Sequence, residues 1–359
     1  MAILNLLIIN SGSSSLKASF FSNDGRRRDF HYPKLGGNNK QSHQQAFEKL
    51  IQELGTDRPD AIGHRFVHGG NITDSAKLVD AQEYARLESL IQLAPLHLPA
   101  NLLGIKLGEQ HFGVPQVACF DTAFHATLPE ISWRLPIPQE LGYRRYGFHG
   151  INYAHIARQL PNLIGELAYR NVVVAHLGSG SSLCLMQQLK SIDTSMGYTP
   201  AGGICMGTRS GDLDPGVMLE LAKKFDPITL SNLVYQQMGL LALSDGLSNE
   251  MSELLSSSTP AANFAVSYFA KSVRSGIAAY AANVGGIDAL VFTGGIGEHS
   301  AQVRAEICQP LGFIGIHLDE QANSEKSIHI NSTNSIPVLV IAADEEQEIA
   351  KLTVLKLAK

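Results

Sequence analysis

Leu6-Leu7-Ile8-Ile9-Asn10-Ser11-Gly12-Ser13-Ser14-Ser15-Leu16-Lys17-Ala18-Ser19-Phe20 sets two apolar runs on either side of a small polar turn. Runs of Leu, Ile and Phe bounded by Gly and Ser read as a buried β-hairpin. Only small residues let another group approach the backbone amides of such a turn, and Asn10 and Lys17 bracket it. Taken alone, the stretch fits an ordinary hairpin better than a phosphate cradle, because short motifs recur by chance. The pattern returns nearly half the chain later in Val172-Val173-Val174-Ala175-His176-Leu177-Gly178-Ser179-Gly180-Ser181-Ser182-Leu183, where Ser181-Ser182-Leu183 matches Ser14-Ser15-Leu16. Two related α/β halves facing one cleft, and holding a polyphosphate from both sides, would explain the repeat. Convergent turn chemistry is the competing explanation.

A chain of 359 residues, 44% hydrophobic and with 33 glycines, can bury a large core, most naturally in two domains. Its net charge of −5, with both signs interspersed, gives no field to draw nucleic acid or an anionic membrane. Arg26-Arg27-Arg28, the only basic run, reads as a solvated loop. The four scattered cysteines argue against a disulfide framework or a cysteine zinc site and fit a reducing, cytoplasmic setting. The apolar start breaks at Asn10, and Phe264–Val284 carries Lys271 and Arg274, so neither reads as a signal peptide or membrane span.

Along the chain, residues 23–45 are expected to be loop or irregular edge structure. Asp60–Gly70 reads as a strand ending in a double glycine, with Arg65 and Val67 on one side. His64 and His68 lack the glutamate of a zinc-binding helix. The buried strand 115–120 delivers Asp121 at its C-terminal end, where ligands of open α/β sheets sit, although Asp121 could equally be a helix cap. Asp214-Pro215 is a helix start, whereas Arg209, in a loop of small residues, is placed to clamp phosphate or carboxylate. Strand 289–293 followed by Gly294-Gly295-Ile296-Gly297-Glu298 is a nucleotide-approach pattern without the dinucleotide-fold spacing. Glycine turns, two arginines and carboxylates at strand ends are the parts of a phosphoryl-transfer site, and neither the P-loop nor the protein-kinase signatures are present.

The segments 10–17, His64-Arg65-Phe66-Val67-His68-Gly69-Gly70, Phe120-Asp121-Thr122-Ala123-Phe124-His125, Tyr146-Gly147-Phe148-His149-Gly150, 176–180, 206–216 and 292–298 together resemble the acetate/propionate kinase family, in its order and from end to end. The resemblance implies two duplicated actin-like (ribonuclease H-like) α/β domains, residues 1–125 with 347–359 and residues 126–346, with a nucleotide cleft between them. It implies Mg²⁺-dependent transfer, with Mn²⁺ as an alternative, between ATP and a short carboxylate, giving ADP and acyl phosphate, in a homodimer joined through the second domain. Carried over residue by residue, Asp121, Arg65, Arg209 and His149 would be catalytic, and Asn10 and Glu345 would organise the metal. Asn10, Lys17, His176, Gly178, Ser179, Gly180, Gly294, Gly295, Ile296 and Gly297 would contact the nucleotide, while Val67, Leu96, Phe148 and Pro200 would wall the acyl pocket.

The chain departs from the family where Leu98 replaces an asparagine and where Glu250 and Ser252 replace an aspartate and an arginine by the nucleoside. Loss of that arginine removes a group able to stack on a base, worth about 0.5–2 kcal/mol. A different donor, a longer acyl acceptor, or a weakly active nucleotide- or acyl-phosphate-binding relative are the alternatives these departures leave open.

Overall fold

The computed structural model describes residues 4–12, 15–33, 35, 40–95, 97–325 and 327–358, so Ser13 and Ser14 of the opening turn and Leu96 lie outside the described residues. The chain divides into two compact units, residues 1–126 with 148–155 and 344–359, and residues 127–147 with 156–343.

In the first unit, β1 (Leu6–Ser11), β2 (Leu16–Phe21), β3 (Arg27–Tyr32), β4 (Ala61–Phe66), β5 (Ala76–Leu78) and β6 (Gln116–Phe120) form one sheet in the order β3-β2-β1-β4-β6-β5. Strand β1 is antiparallel to β2 and parallel to β4, which is parallel to β6. Every residue of β1 is buried. Leu7 and Ile9 enter a core with Phe20, Phe47 and Leu50, while Leu6 and Ile8 enter another with Val117 and Ile349 of the terminal helix Glu345–Leu357. Side chains alternate along a strand, so a sheet covered on both faces reads as one continuous apolar run. Each such Leu or Ile contributes about 1.5–3 kcal/mol of burial energy.

The second unit holds β7 (Val172–Leu177), β8 (Ser181–Gln187), β9 (Lys190–Thr194), β10 (Ala289–Thr293) and β11 (Val338–Val340), in the order β11-β10-β7-β8-β9. Pairings β7/β8 and β8/β9 are antiparallel, and β7/β10 and β10/β11 are parallel. Strand for strand this repeats β6-β4-β1-β2-β3. The short sequence match therefore marks a duplicated sheet, as an actin-like fold requires. Its core is closed by the helix Pro260–Val284 through Val266, Phe269, Val273 and Ile277.

Residues 23–45, expected as loop or irregular edge structure, do supply an edge of the sheet, but as a regular strand followed by the start of a helix. Arg27–Tyr32 forms β3, antiparallel to β2, and a helix starts at Lys40. In β3 only Phe30 and Tyr32 are buried, so two residues carry the alternation of an edge strand whose other positions are polar. Arg27 and Arg28 are not simply solvated: they pair with Asp29 and Asp344, and with Asp57. Strand β4 ends at Phe66, before Val67. Among the described residues no helix is long and apolar enough to cross a membrane.

Candidate active site

The parallel strands β1, β4 and β6 end side by side, with Ile9 beside His64 and Phe66 beside Phe120 in register. Their C-terminal ends therefore bring Asn10, Arg65 and Asp121 together, where an open α/β sheet presents ligand-binding groups. Arg65 donates from Nε and Nη2 to Asp121 Oδ2, at 2.9 and 2.6 Å, and from Nη1 to Asn10 Oδ1 at 3.1 Å. The start of the terminal helix adds Glu345, whose Oε2 lies 3.7 Å from Arg65 Nε. Asn10 Nδ2 donates to Glu345 Oε2 and to Glu346 Oε1, both at 2.9 Å. One amide thus holds two like-charged carboxylates together. Glu346 carried no role in the sequence reading, although its signal was present in the acidic run Asp344-Glu345-Glu346.

The buried carboxylate of Asp121 pairs with Arg65. Burial, together with the charge of Glu345, raises its carboxyl pKa to about 6 against the pull of Arg65. Burial would lower Arg65, but Asp121 and Glu345 hold it above the ordinary arginine range. Asp121 Oδ1 is buried and accepts no hydrogen bond among the described residues. A hard divalent cation such as Mg²⁺ takes oxygen ligands, often only one or two carboxylates beside substrate phosphates and water. Asp121 Oδ1 and Glu345 fit that donor set, and among the described residues no cluster of three ligating side chains forms a closed metal cage.

Phe148 and His149 reach the same unit by a backbone dock. Gly150 N–H donates to the Asp121 carbonyl at 2.8 Å, and a Cβ at Gly150 would overlap that carbonyl. His125 Nε2 lies 2.9 Å from the Phe148 carbonyl; because a carbonyl only accepts, Nε2 carries the proton. Between these anchors His149 adopts φ 57°, in the left-handed region that non-glycine residues occupy uncommonly. Phe148 is buried, with His68 edge-on at 5.8 Å, and Val67 is buried nearby in sequence. Burial lowers His64 and His68 to about 4, so both are neutral at pH 7. Lys17 faces Asn10 across the β1–β2 ladder.

The second unit assembles a different set. His176 is the penultimate residue of β7, and the turn Gly178-Ser179-Gly180 is closed by Ser181, whose hydroxyl accepts from Gly178 N–H at 3.2 Å and donates to its carbonyl at 3.0 Å. Gly207 N–H donates to the Ser179 carbonyl at 3.1 Å, which docks the arginine loop on that turn. Arg209 Nη1 donates to the Pro200 carbonyl at 2.8 Å. Gly294, at φ 77°, sits where a Cβ would lie 2.8 Å from the Leu177 carbonyl, so the helix Gly294–His299 begins against the end of β7. Glu298 Oε1 fastens that helix, accepting from Gly294 N–H at 3.0 Å and from Ala343 N–H at 2.9 Å. His176, Gly178–Gly180, Arg209 and Gly294–Gly297 thus share one region of this unit. The presumed pocket residues divide, with Val67 and Phe148 in the first unit and Pro200 in the second.

The sequence pattern that defines the acetokinase family matches residues 34–351. The chain is 39% identical over 385 aligned positions to an acetate kinase of Rhodopseudomonas palustris (strain ATCC BAA-98 / CGA009), covering 96% of each chain. It is 44% identical over 305 positions to a propionate kinase of Citrobacter rodentium (strain ICC168), covering 81% of this chain and 75% of that one. Among solved structures, a propionate kinase from Francisella tularensis subsp. tularensis SCHU S4 matches with a TM-score of 0.88 at 34% identity, covering 98% of this chain and 99% of that one. Porphyromonas gingivalis acetate kinase matches with a TM-score of 0.83 at 31% identity, over 98% and 99%. With its duplicated actin-like sheets and a family match over most of its length, the chain belongs to the acetokinase family.

Proposed function

We propose that this protein catalyses reversible, Mg²⁺-dependent phosphoryl transfer between ATP and acetate or propionate, giving ADP and an acyl phosphate by direct in-line displacement. The observation that carries this reading is the Asn10–Arg65–Asp121–Glu345 cluster at the ends of three parallel strands. A carboxylate acceptor is ionised at neutral pH, so no general base is needed and the work left is alignment and charge neutralisation. Arg65 holds the acceptor carboxylate, Arg209 clamps the phosphoryl group in flight, and His149 donates to its equatorial oxygens. Asp121 orients the reacting groups. Mg²⁺ or Mn²⁺, when bound, neutralises phosphate charge, and Asn10, Asp121 and Glu345 are the residues to hold it. Lys17, His176 and the amides of Gly178–Gly180 and Gly294–Gly297 take the nucleotide.

Val67, Phe148 and Pro200 select short acyl groups, but one methylene changes binding by only about 1–3 kcal/mol, so both acids are accepted. A homodimer through the second unit accompanies the reading, supported by the exposed apolar side chains Val217, Leu219, Ile228, Phe264 and Tyr268. Free, buried cysteines are in keeping with a cytoplasmic enzyme.

A second reading changes only the donor. A Cβ at Gly207 would lie 3.1 Å from the Asn249 carbonyl, so the divergent segment Asn249–Ser252 borders the arginine loop. Purified protein given acetate, Mg²⁺ and hydroxylamine should form acetyl hydroxamate with ATP. The same assay with GTP or pyrophosphate decides the donor, and no hydroxamate with any donor would defeat the proposal.

A further inference from the structure

Arg304 is wholly buried, at 0% exposure, and its guanidinium donates to neutral oxygens. Nε donates to Asn323 Oδ1 at 2.8 Å and Nη2 to the Asn323 carbonyl at 2.7 Å. Nη1 donates to the carbonyls of Gly297 at 2.8 Å and Glu298 at 3.1 Å. Burying a cation without a counter-ion is costly, and well-packed apolar replacements for buried charges are often no less stable. Stability alone therefore does not account for Arg304. What it grips is the far end of the helix Gly294–His299, where the last carbonyls lack partners within the helix. Asn323 is itself fixed, donating from Nδ2 to the Ala301 carbonyl at 2.9 Å. At the near end Glu298 accepts from Gly294 N–H. The turn is held from both sides, and Gly295, between the anchors, is exposed.

We propose that Arg304, backed by Asn323, is a positioning residue for nucleotide binding, fixing the Gly294–Gly297 turn in its binding conformation before the ligand arrives. A turn ordered in advance loses less freedom on binding, so the effect belongs to nucleotide affinity and not to the chemical step. The inference rests on the reading of Gly294–Gly297 as a nucleotide contact. Lysine cannot replace arginine here, because one ammonium on a flexible stem cannot span Asn323 and two loop carbonyls.

The test compares Arg304→Lys and Asn323→Ala with wild type for KM of ATP and of acetate, for ADP affinity by calorimetry, and for thermal midpoint. In Arg304→Lys, KM for ATP and Kd for ADP should rise about tenfold, with KM for acetate and kcat at saturating ATP changed by less than about threefold. Asn323→Ala should move the same two constants in the same direction by a smaller factor. It also carries the test if Arg304→Lys does not fold, since the guanidinium and both loop carbonyls remain. A lowered midpoint with unchanged ADP affinity in the folded variants would overturn the proposal and leave Arg304 a folding residue. Wild-type protein that forms hydroxamate but whose ADP affinity is insensitive to Gly295→Val would instead remove the underlying reading of the turn, and the proposal with it.

Discussion

At the C-terminal end of β4 the first unit places Arg65, with Asp121 directly after β6; at the matching ends in the second unit, β10 runs into Gly294 and β11 into Ile341-Ala342. The pairing pattern of the two sheets is the same, and the residues at their ends are not. The first unit offers fixed charges. The second offers backbone amides on glycine turns, with Arg209 as the charge beside them. Duplication of a scaffold thus fixes where the strand ends lie, and in the proposed function the few residues at those ends make one half act on the transferring group and the other cradle the polyphosphate.

Breaking the first half of that contrast should have the largest effect. Asp121→Ala should lower kcat for hydroxamate formation by about 10²–10³ or more, the scale of losing one preorganised electrostatic group. Asp121→Asn, which preserves volume, separates lost charge from lost packing, and activity near wild type in both would contradict the role.

A property of the first unit sharpens the contrast through pH. His64 and His68 are depressed from 6.5 to about 4 by burial, so the unfolded chain binds more protons between those values. Their contribution is fully present above pH 6.5 and is lost as pH falls toward 4, at about 3 kcal/mol for each histidine. Chemical denaturation between pH 7 and 4 should show this slope, and His64→Gln should flatten it by roughly half.

Asn10→Ala removes the amide that bridges Glu345 and Glu346. The Mg²⁺ concentration for half-maximal activity should rise about 10–100-fold, as when a partner that orients a ligand is lost. An unchanged Mg²⁺ titration would take Asn10 out of the metal site. In the second unit Gly294→Ala forces a side chain into a left-handed φ and against Leu177, and should cost about 1–3 kcal/mol of stability while weakening ADP binding. Loss of stability without loss of ADP affinity would confine Gly294 to folding.

The sheets were readable because β1, β6, β7 and β10 are apolar on both faces and stop at small residues or charges. β3 was not, since its outward positions carry Arg, Asp and His and only Phe30 and Tyr32 turn inward. The motif residues could be named from their order along the chain. Asn10 and Glu345 were paired only through the family resemblance, and Glu346 was not, because its tie to Asn10 joins the two ends of the sequence through the packing of the last helix on the first sheet. Phe148–His155 gave no local sign of belonging with the first unit; the tie is a backbone hydrogen bond from Gly150 to Asp121. Arg304 could not be singled out, because burial of a charge is a property of the fold and leaves no trace in spacing.

The division of labour between the two units is tested most directly on Arg65→Ala, by measuring hydroxamate formation and ADP affinity on the same preparation. The account expects hydroxamate formation to fall by about 10²–10³ or more while Kd for ADP stays within about threefold of wild type. A variant that keeps its turnover, or one that loses ADP binding in proportion to activity while remaining folded, would contradict it.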